Sequence, residues 1–144
     1  MPKKLITEVV FGRGHENVSA MHPTTVEFTR DSHLSKNGDC ILIVEADKGL
    51  PEFSREFKEA LRKPQAKIVI KIEADGESDE IRAQGRPGLS LTHPFEMVLR
   101  KSEYVSERTL GVCADKAAKD LNRDLVRKLQ NPKQRAKITL TVEA

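Results

Sequence analysis

Residues 46–64 read ADKGLPEFSREFKEALRKP, and residues 114–132 read ADKAAKDLNRDLVRKLQNP. Set side by side without a gap, the two stretches share Ala-Asp-Lys at the start and a closing proline, Pro64 or Pro132. Between them Phe53 answers Leu121, Arg55 answers Arg123, Glu56 answers Asp124, Phe57 answers Leu125 and Leu61 answers Leu129. Phe53, Phe57, Ala60 and Leu61 recur at helical spacing, as do Leu121, Leu125, Val126 and Leu129. Proline cannot continue a helix and stops each one. Both stretches therefore read as Asp-Lys followed by a short amphipathic helix.

The correspondence extends outward. Gly14 stands eight residues before His22-Pro23, and Gly85 stands eight before His93-Pro94, with Ser19 and Ser90 at the same place between them. Downstream, Ala66-Lys67-Ile68 matches Ala136-Lys137-Ile138, and Glu73-Ala74 matches Glu143-Ala144. The first copy is longer only between His-Pro and Ala-Asp-Lys, where Asp31-Ser32-His33 and Asn37-Gly38-Asp39 form a turn-rich stretch suited to a loop. An ordered series of this kind implies a tandem duplication, with copies at residues 8–74 and 79–144.

Each copy reads as strand, strand, strand, helix, strand. Residues 8–13 and 80–84 open the copies, and 25–30 and 96–100 follow the His-Pro turns. Residues 40–46 and 109–114 are nearly continuous apolar runs, the pattern of central strands covered on both faces. Ile138, Leu140 and Val142 alternate with polar residues, and Ile68, Ile70 and Ile72 echo them. Asp75-Gly76 is a hairpin signal between the copies. The expectation is one α+β domain spanning residues 1–144. In it, duplicated β-β-β-α-β units form one mixed sheet or partly closed barrel with two helices, related by a pseudo-two-fold axis.

Composition narrows the function classes. Aromatic residues make up 4% and Trp is absent, so the core must be mainly Ile, Leu and Val. A net charge of +3 is too small to imply nucleic-acid binding by itself. Cys40 and Cys113 lie in separate apolar runs and read as small buried side chains, not a disulfide scaffold. No CxxC or Cys/His cluster suggests zinc, and the residues leave the cofactor open. Glu8 interrupts the N-terminus before a signal core could form, and no apolar run approaches the roughly 20 residues of a membrane span. The expectation is a soluble, cytoplasmic protein.

The repeated polar residues are the natural site candidates. Asp47 and Asp115 follow a strand and precede a helix, where a carboxylate caps free backbone N–H groups. Lys48 and Lys116 sit beside them, where the helix dipole disfavours a cation; with the helix N-terminus they would bind phosphate or carboxylate. His22 and His93, each before proline, are either structural turn residues or functional ones, paired across the axis or each with an aspartate, for acid–base work or metal binding. An aspartic-protease-like dyad of Asp47 and Asp115 is disfavoured by the adjoining lysines. Arg100 and Lys101 add cations in the second copy. Between Lys116 and Lys137 eight Lys and Arg residues face two aspartates, either a solvated helix face or a phosphate-backbone footprint.

Gly14-His15, His22, Thr24-Thr25, Glu27, Gly38-Asp39-Cys40-Ile41 and Ala46-Asp47-Lys48 together resemble the archaeal "domain of unknown function 371" family. So do Arg100-Lys101-Ser102, Arg108-Thr109-Leu110 and Ala114-Asp115-Lys116-Ala117-Ala118 with Asp120-Leu121. The resemblance covers nearly the whole chain and implies an archaeal, cytosolic, single-domain protein. It carries over no activity. Arg86 stands where the parallel with Gly14-His15 would place a histidine. From the residues, the expected function is recognition of an anionic or phosphorylated small ligand, with or without chemistry. The site would draw on Asp47, Asp115, Lys48, Lys116, His22, His93, Arg100 and Lys101. The alternative is a nucleic-acid-associated protein using the basic second half.

Overall fold

A computed structural model describes residues 4–143. Residues 1–3, which open the N-terminal reading, and Ala144, with which the expected second copy ends, lie outside the described residues. In chain order the elements are β1 (Leu5–Arg13), β2 (Thr25–Thr29), β3 (Ile41–Ile43), α1 (Arg55–Leu61), β4 (Lys67–Ala74), β5 (Glu77–Gln84), β6 (Glu96–Arg100), β7 (Thr109–Gly111), α2 (Arg123–Leu129) and β8 (Arg135–Glu143). Short 3₁₀ turns at Leu50–Glu52 and Ala118–Asp120 precede the helices.

Alternation builds the first sheet. Ile68, Ile70 and Ile72 of β4 and Ile138, Leu140 and Val142 of β8 are buried, while the polar residues between them face out. The two strands pair antiparallel with Ile70 opposite Leu140, and β1 and β5 flank them in the order β1-β8-β4-β5. Asp75 (φ 49°) and Gly76 (φ 79°) make the tight turn between β4 and β5, as Asp-Gly requires. The apolar helix residues Phe57, Leu61, Leu125 and Leu129 are fully buried, α1 packing on β1 and β8 and α2 on β5 and β4.

The expected single mixed sheet or partly closed barrel is corrected. A second four-stranded sheet, β3-β2-β6-β7, stands apart, and neither sheet closes. Its centre is the antiparallel pair β2–β6, with β3 parallel to β2 and β7 parallel to β6. The apolar runs expected as central strands are three-residue edge strands. Glu45 (φ 51°) and Cys113 (φ 53°) then turn the chain out of the ladder. Just before those turns, Val44 bridges to Arg13 and Val112 to Gln84, joining each run to an edge of the first sheet. That crossing buries both runs without a central position.

The helix starts also differ from expectation. Ser54 caps α1, its hydroxyl accepting from Phe57 N–H at 3.1 Å, and Asn122 caps α2, accepting from Asp124 N–H at 2.9 Å. Asp47 and Asp115 lie a full 3₁₀ turn upstream and cap neither helix. No helix among the described residues is long and apolar enough to cross a membrane.

Candidate functional site

The period of two that sends Val26 and Phe28 of β2 and Met97 and Leu99 of β6 into the core turns Thr25, Glu27, Thr29, Glu96, Val98 and Arg100 to the opposite face. The register sets Thr25 against Arg100, Glu27 against Val98 and Thr29 against Glu96. This face holds most of the buried polarity of the described chain, because the buried polar residues are Glu27, Thr29 and Thr109.

Glu27 is the unusual group. It is 3% exposed, and Arg108 approaches both its Oε1 (3.5 Å) and Glu96 Oε1 (3.3 Å). The Cys40 thiol donates to Glu27 Oε1 at 3.8 Å. Burial, then the neighbouring Glu96 carboxylate, push Glu27 up to about 7 despite Arg108. Burial and the Glu27 charge likewise raise the Cys40 thiol to about 11, which leaves it an unreactive thiol at neutral pH. Cys40 and Cys113 are unpaired and half-buried, not fully buried as expected.

His93 Nδ1 accepts from the N–H groups of Phe95 (3.2 Å) and Glu96 (2.9 Å), so its proton sits on Nε2, 3.1 Å from Glu96 Oε2. His22 Nδ1 accepts from Thr24 and Thr25 N–H groups, both at 3.2 Å. The repeated histidines thus share one structural task, terminating the turn that starts β2 or β6. Only His93 also reaches a carboxylate of the buried cluster. A cleft of about 420 Å³ opens here, lined by Glu27, Thr29, Asp31, His33, His93 and Glu96, with Phe95 at its rim.

Arg100 lies at the far end of β6. Its Nε donates to Thr109 Oγ1 (3.1 Å), one Nη to Ser106 Oγ (3.2 Å), and its guanidinium stacks 4.9 Å from the Tyr104 ring centre. Among the described residues it has no carboxylate partner. Burial and the nearby Arg108 charge both lower its pKa.

The other candidates are placed elsewhere. Asp47 Oδ1 accepts from Phe11 N–H (3.0 Å) while its own N–H donates to Phe11 C=O (2.8 Å). Asp115 does the same to Arg82, at 2.9 Å in both directions. Each aspartate extends the ladder along an edge strand, β1 or β5. Lys48 pairs with Glu8 at 2.8 Å and Lys116 with Asp79 at 2.5 Å. Lys101 pairs with Asp120 at 2.8 Å. Ser54 and Asn122 cap the two helices, and each of these lysines is paired with a carboxylate. Among the described residues no group of His, Cys, Asp and Glu has the arrangement of a metal site.

Glu27 and Arg108 entered the sequence reading only through the family resemblance and Glu96 not at all; none of the three was a site candidate. The signal was present in Val26-Glu27-Phe28, a carboxylate inside an apolar strand, where a charge is rarely buried without a partner.

The profile of a domain of unknown function, DUF371, matches residues 10–143, and the chain belongs to that family. It is 46% identical over 126 residues to an uncharacterized protein of Methanocaldococcus jannaschii, an alignment that covers 88% of this chain and 93% of the relative.

Proposed function

For this member of the DUF371 family we propose a small-molecule site on the outer face of the second sheet. In it Arg100 holds an anionic group of the ligand, and the Glu27–Glu96 carboxyl pair, bridged by Arg108, exchanges a proton with it. The observation that carries the reading is the burial of Glu27 beside a second carboxylate with Arg108 across both. A carboxyl group that is part protonated at neutral pH is equipped for general acid–base work. The cleft falls within the usual size range of small-molecule pockets. The ion pairing of Lys101, Lys116 and Lys128 leaves a phosphate-backbone footprint less support than Arg100, which has no ion pair with a carboxylate among the described residues, gives a small anion. A cytoplasmic location belongs to the same proposal.

We also infer that residues 8–74 and 79–144 are duplicated copies forming one domain about a pseudo-two-fold axis. Paired details support it. Left-handed residues occur at Ala20 and Leu91 and at Glu45 and Cys113. The helix C-cap residues reach the opposite half's loops, Gln130 to Val18 C=O and Arg62 to Leu89 C=O. Exchanging the halves turns each strand order into its own reverse. On this reading the axis passes between Glu27 and Val98. The carboxylate and the valine are then one ancestral position that diverged, and the site is asymmetric where it matters.

The test is calorimetric titration with inorganic phosphate, ribose 5-phosphate and succinate at low salt. Binding of at least one of them, weakened tenfold or more by Arg100→Ala and unchanged by Lys48→Ala, is expected. No binding by any of the three, or equal losses in both variants, overturns the anion reading.

A further inference from the structure

We propose that the N-terminal half of β1 is a self-association edge. Two copies of the chain pair there, antiparallel about a two-fold axis at Thr7, and join their first sheets into one continuous sheet.

The ladder leaves this edge open. Arg13 N–H donates away from β8 to Val44 C=O at 3.0 Å, and Phe11 N–H donates to the same side, to Asp47 Oδ1 at 3.0 Å. Backbone groups alternate along a strand with a period of two, so Leu5, Thr7 and Val9 turn their N–H and C=O groups to that side as well. Among the described residues these backbone groups have no hydrogen-bond partner, because β1 pairs only with β8.

The opposite edge of the same sheet is closed along its length. On β5, Gln84 exchanges bonds with Val112 and Arg82 with Asp115. Glu80 N–H donates to Asp79 Oδ1 at 2.8 Å, and Ser78 C=O accepts from Asn122 Nδ2 at 3.2 Å. In the second sheet the edge strands β3 and β7 are only three residues long. Short or covered edges, lysine and proline are the usual defences against strand pairing, and residues 5–9 have none of them. Leu5 is 65% exposed, and the one charge of the stretch, Glu8, lies on the inner face against Lys48.

Self-complementarity names the occupant. Pairing about Thr7 sets Leu5 of one copy opposite Val9 of the other, and the two Thr7 residues opposite each other. In each facing pair both residues turn their backbone groups toward the partner strand and exchange both N–H···O bonds. Two aliphatic pairs then flank a Thr–Thr pair, itself a favourable cross-strand combination. Lys48 neutralises Glu8, so no unpaired charge meets its like across the axis. Because β5 is closed, association stops at two copies and does not grow into a filament.

The experiment is sedimentation equilibrium of the full chain at concentrations up to about 1 mM, a range that reads even a weak dimer. Wild type should form dimers and nothing larger. Thr7→Pro removes an outward N–H that β8 does not use, a change an edge strand tolerates, so this variant should melt cooperatively and be monomeric. Leu5→Lys leaves the ladder intact and sets a cation at the edge; it should weaken the dimer tenfold or more, and it decides the matter if Thr7→Pro does not fold. Met21→Lys, at an exposed apolar residue off this edge, should dimerise as wild type does. A chain that is monomeric throughout, or that forms species larger than two, overturns the proposal. So does a dimer unaffected by Leu5→Lys or by a folded Thr7→Pro, or one that Met21→Lys weakens equally.

Discussion

Glu27 sits where a strand residue would ordinarily be apolar, and its ionisation has a direction that stability must follow. In the unfolded chain the carboxyl titrates near 4.5; in the fold, burial and Glu96 raise it to about 7. Between those values the folded state binds more protons than the unfolded one, so stability is fully present below pH 4.5 and is lost as pH rises through 7. The loss amounts to about 3 kcal/mol, taking 1.36 kcal/mol per unit of pKa. Glu27→Gln keeps the shape without the charge. We predict that the difference in denaturation midpoint between wild type and Glu27→Gln moves toward the variant as pH goes from 4.5 to 8. A difference independent of pH would show that Glu27 does not carry the shift.

At the scale of elements, the two halves are locked by backbone contact at glycine. A Cβ built on Gly85 would stand 1.9 Å from Leu61 C=O at the end of α1, and one on Gly14 would stand 2.2 Å from Leu129 C=O at the end of α2. Each glycine follows the opening strand of one half of the chain and touches the helix of the other half, so only a residue without a side chain lets them meet. Gly85→Ala should destabilise at or beyond the upper end of the ~1–3 kcal/mol range for overpacking. Gly88→Ala is the control, since nothing lies within 4 Å of its added Cβ. Equal melting temperatures for the two variants would contradict the contact. The glycines were visible in the sequence as matched landmarks, yet their partners were not. Spacing marks a position along the chain, whereas the helix end they meet lies in the opposite half.

Across the whole molecule, two carboxylates hold the edge strands to the segments that lead into the helices. Glu8 of β1 accepts from Lys48 and from Ser54 N–H at 2.7 Å; Asp79 of β5 accepts from Lys116 and from Asn122 N–H at 2.8 Å. Burial works against ionising either group, but the lysine and the backbone donor overcome it, and both are held below their ordinary values. A depressed carboxylate contributes stability that is present above its unfolded value, 4.5 or 3.8, and is lost as pH falls through the folded one. The double variant Glu8→Gln, Asp79→Asn should therefore be less stable at pH 7, by about 1.5–3 kcal/mol per site for a charged hydrogen bond. Its acid unfolding should also be shallower. An acid limb as steep as that of wild type would assign the acid sensitivity elsewhere.

The linear chain by itself determined the order of elements, the two amphipathic helices, the Asp-Gly turn and the alternating strands of the first sheet. Each depends on residues a few positions apart, within reach of period, proline and turn chemistry. Tertiary structure alone decided the rest. The apolar runs 40–46 and 109–114 look the same whether they are central or edge strands, and only the crossing at Val44 and Val112 makes them edges of a separate sheet. Asp47 and Asp115 have the composition of helix caps, but the 3₁₀ turns displace them and an edge strand claims both their hydrogen bonds. The candidate site was hidden for the same reason. Glu27, Glu96 and Arg108 are scattered along the chain, and their meeting depends on how β2, β6 and β7 align. A carboxylate acquires an unusual proton affinity from its neighbours in space, and those neighbours are set by register between distant strands.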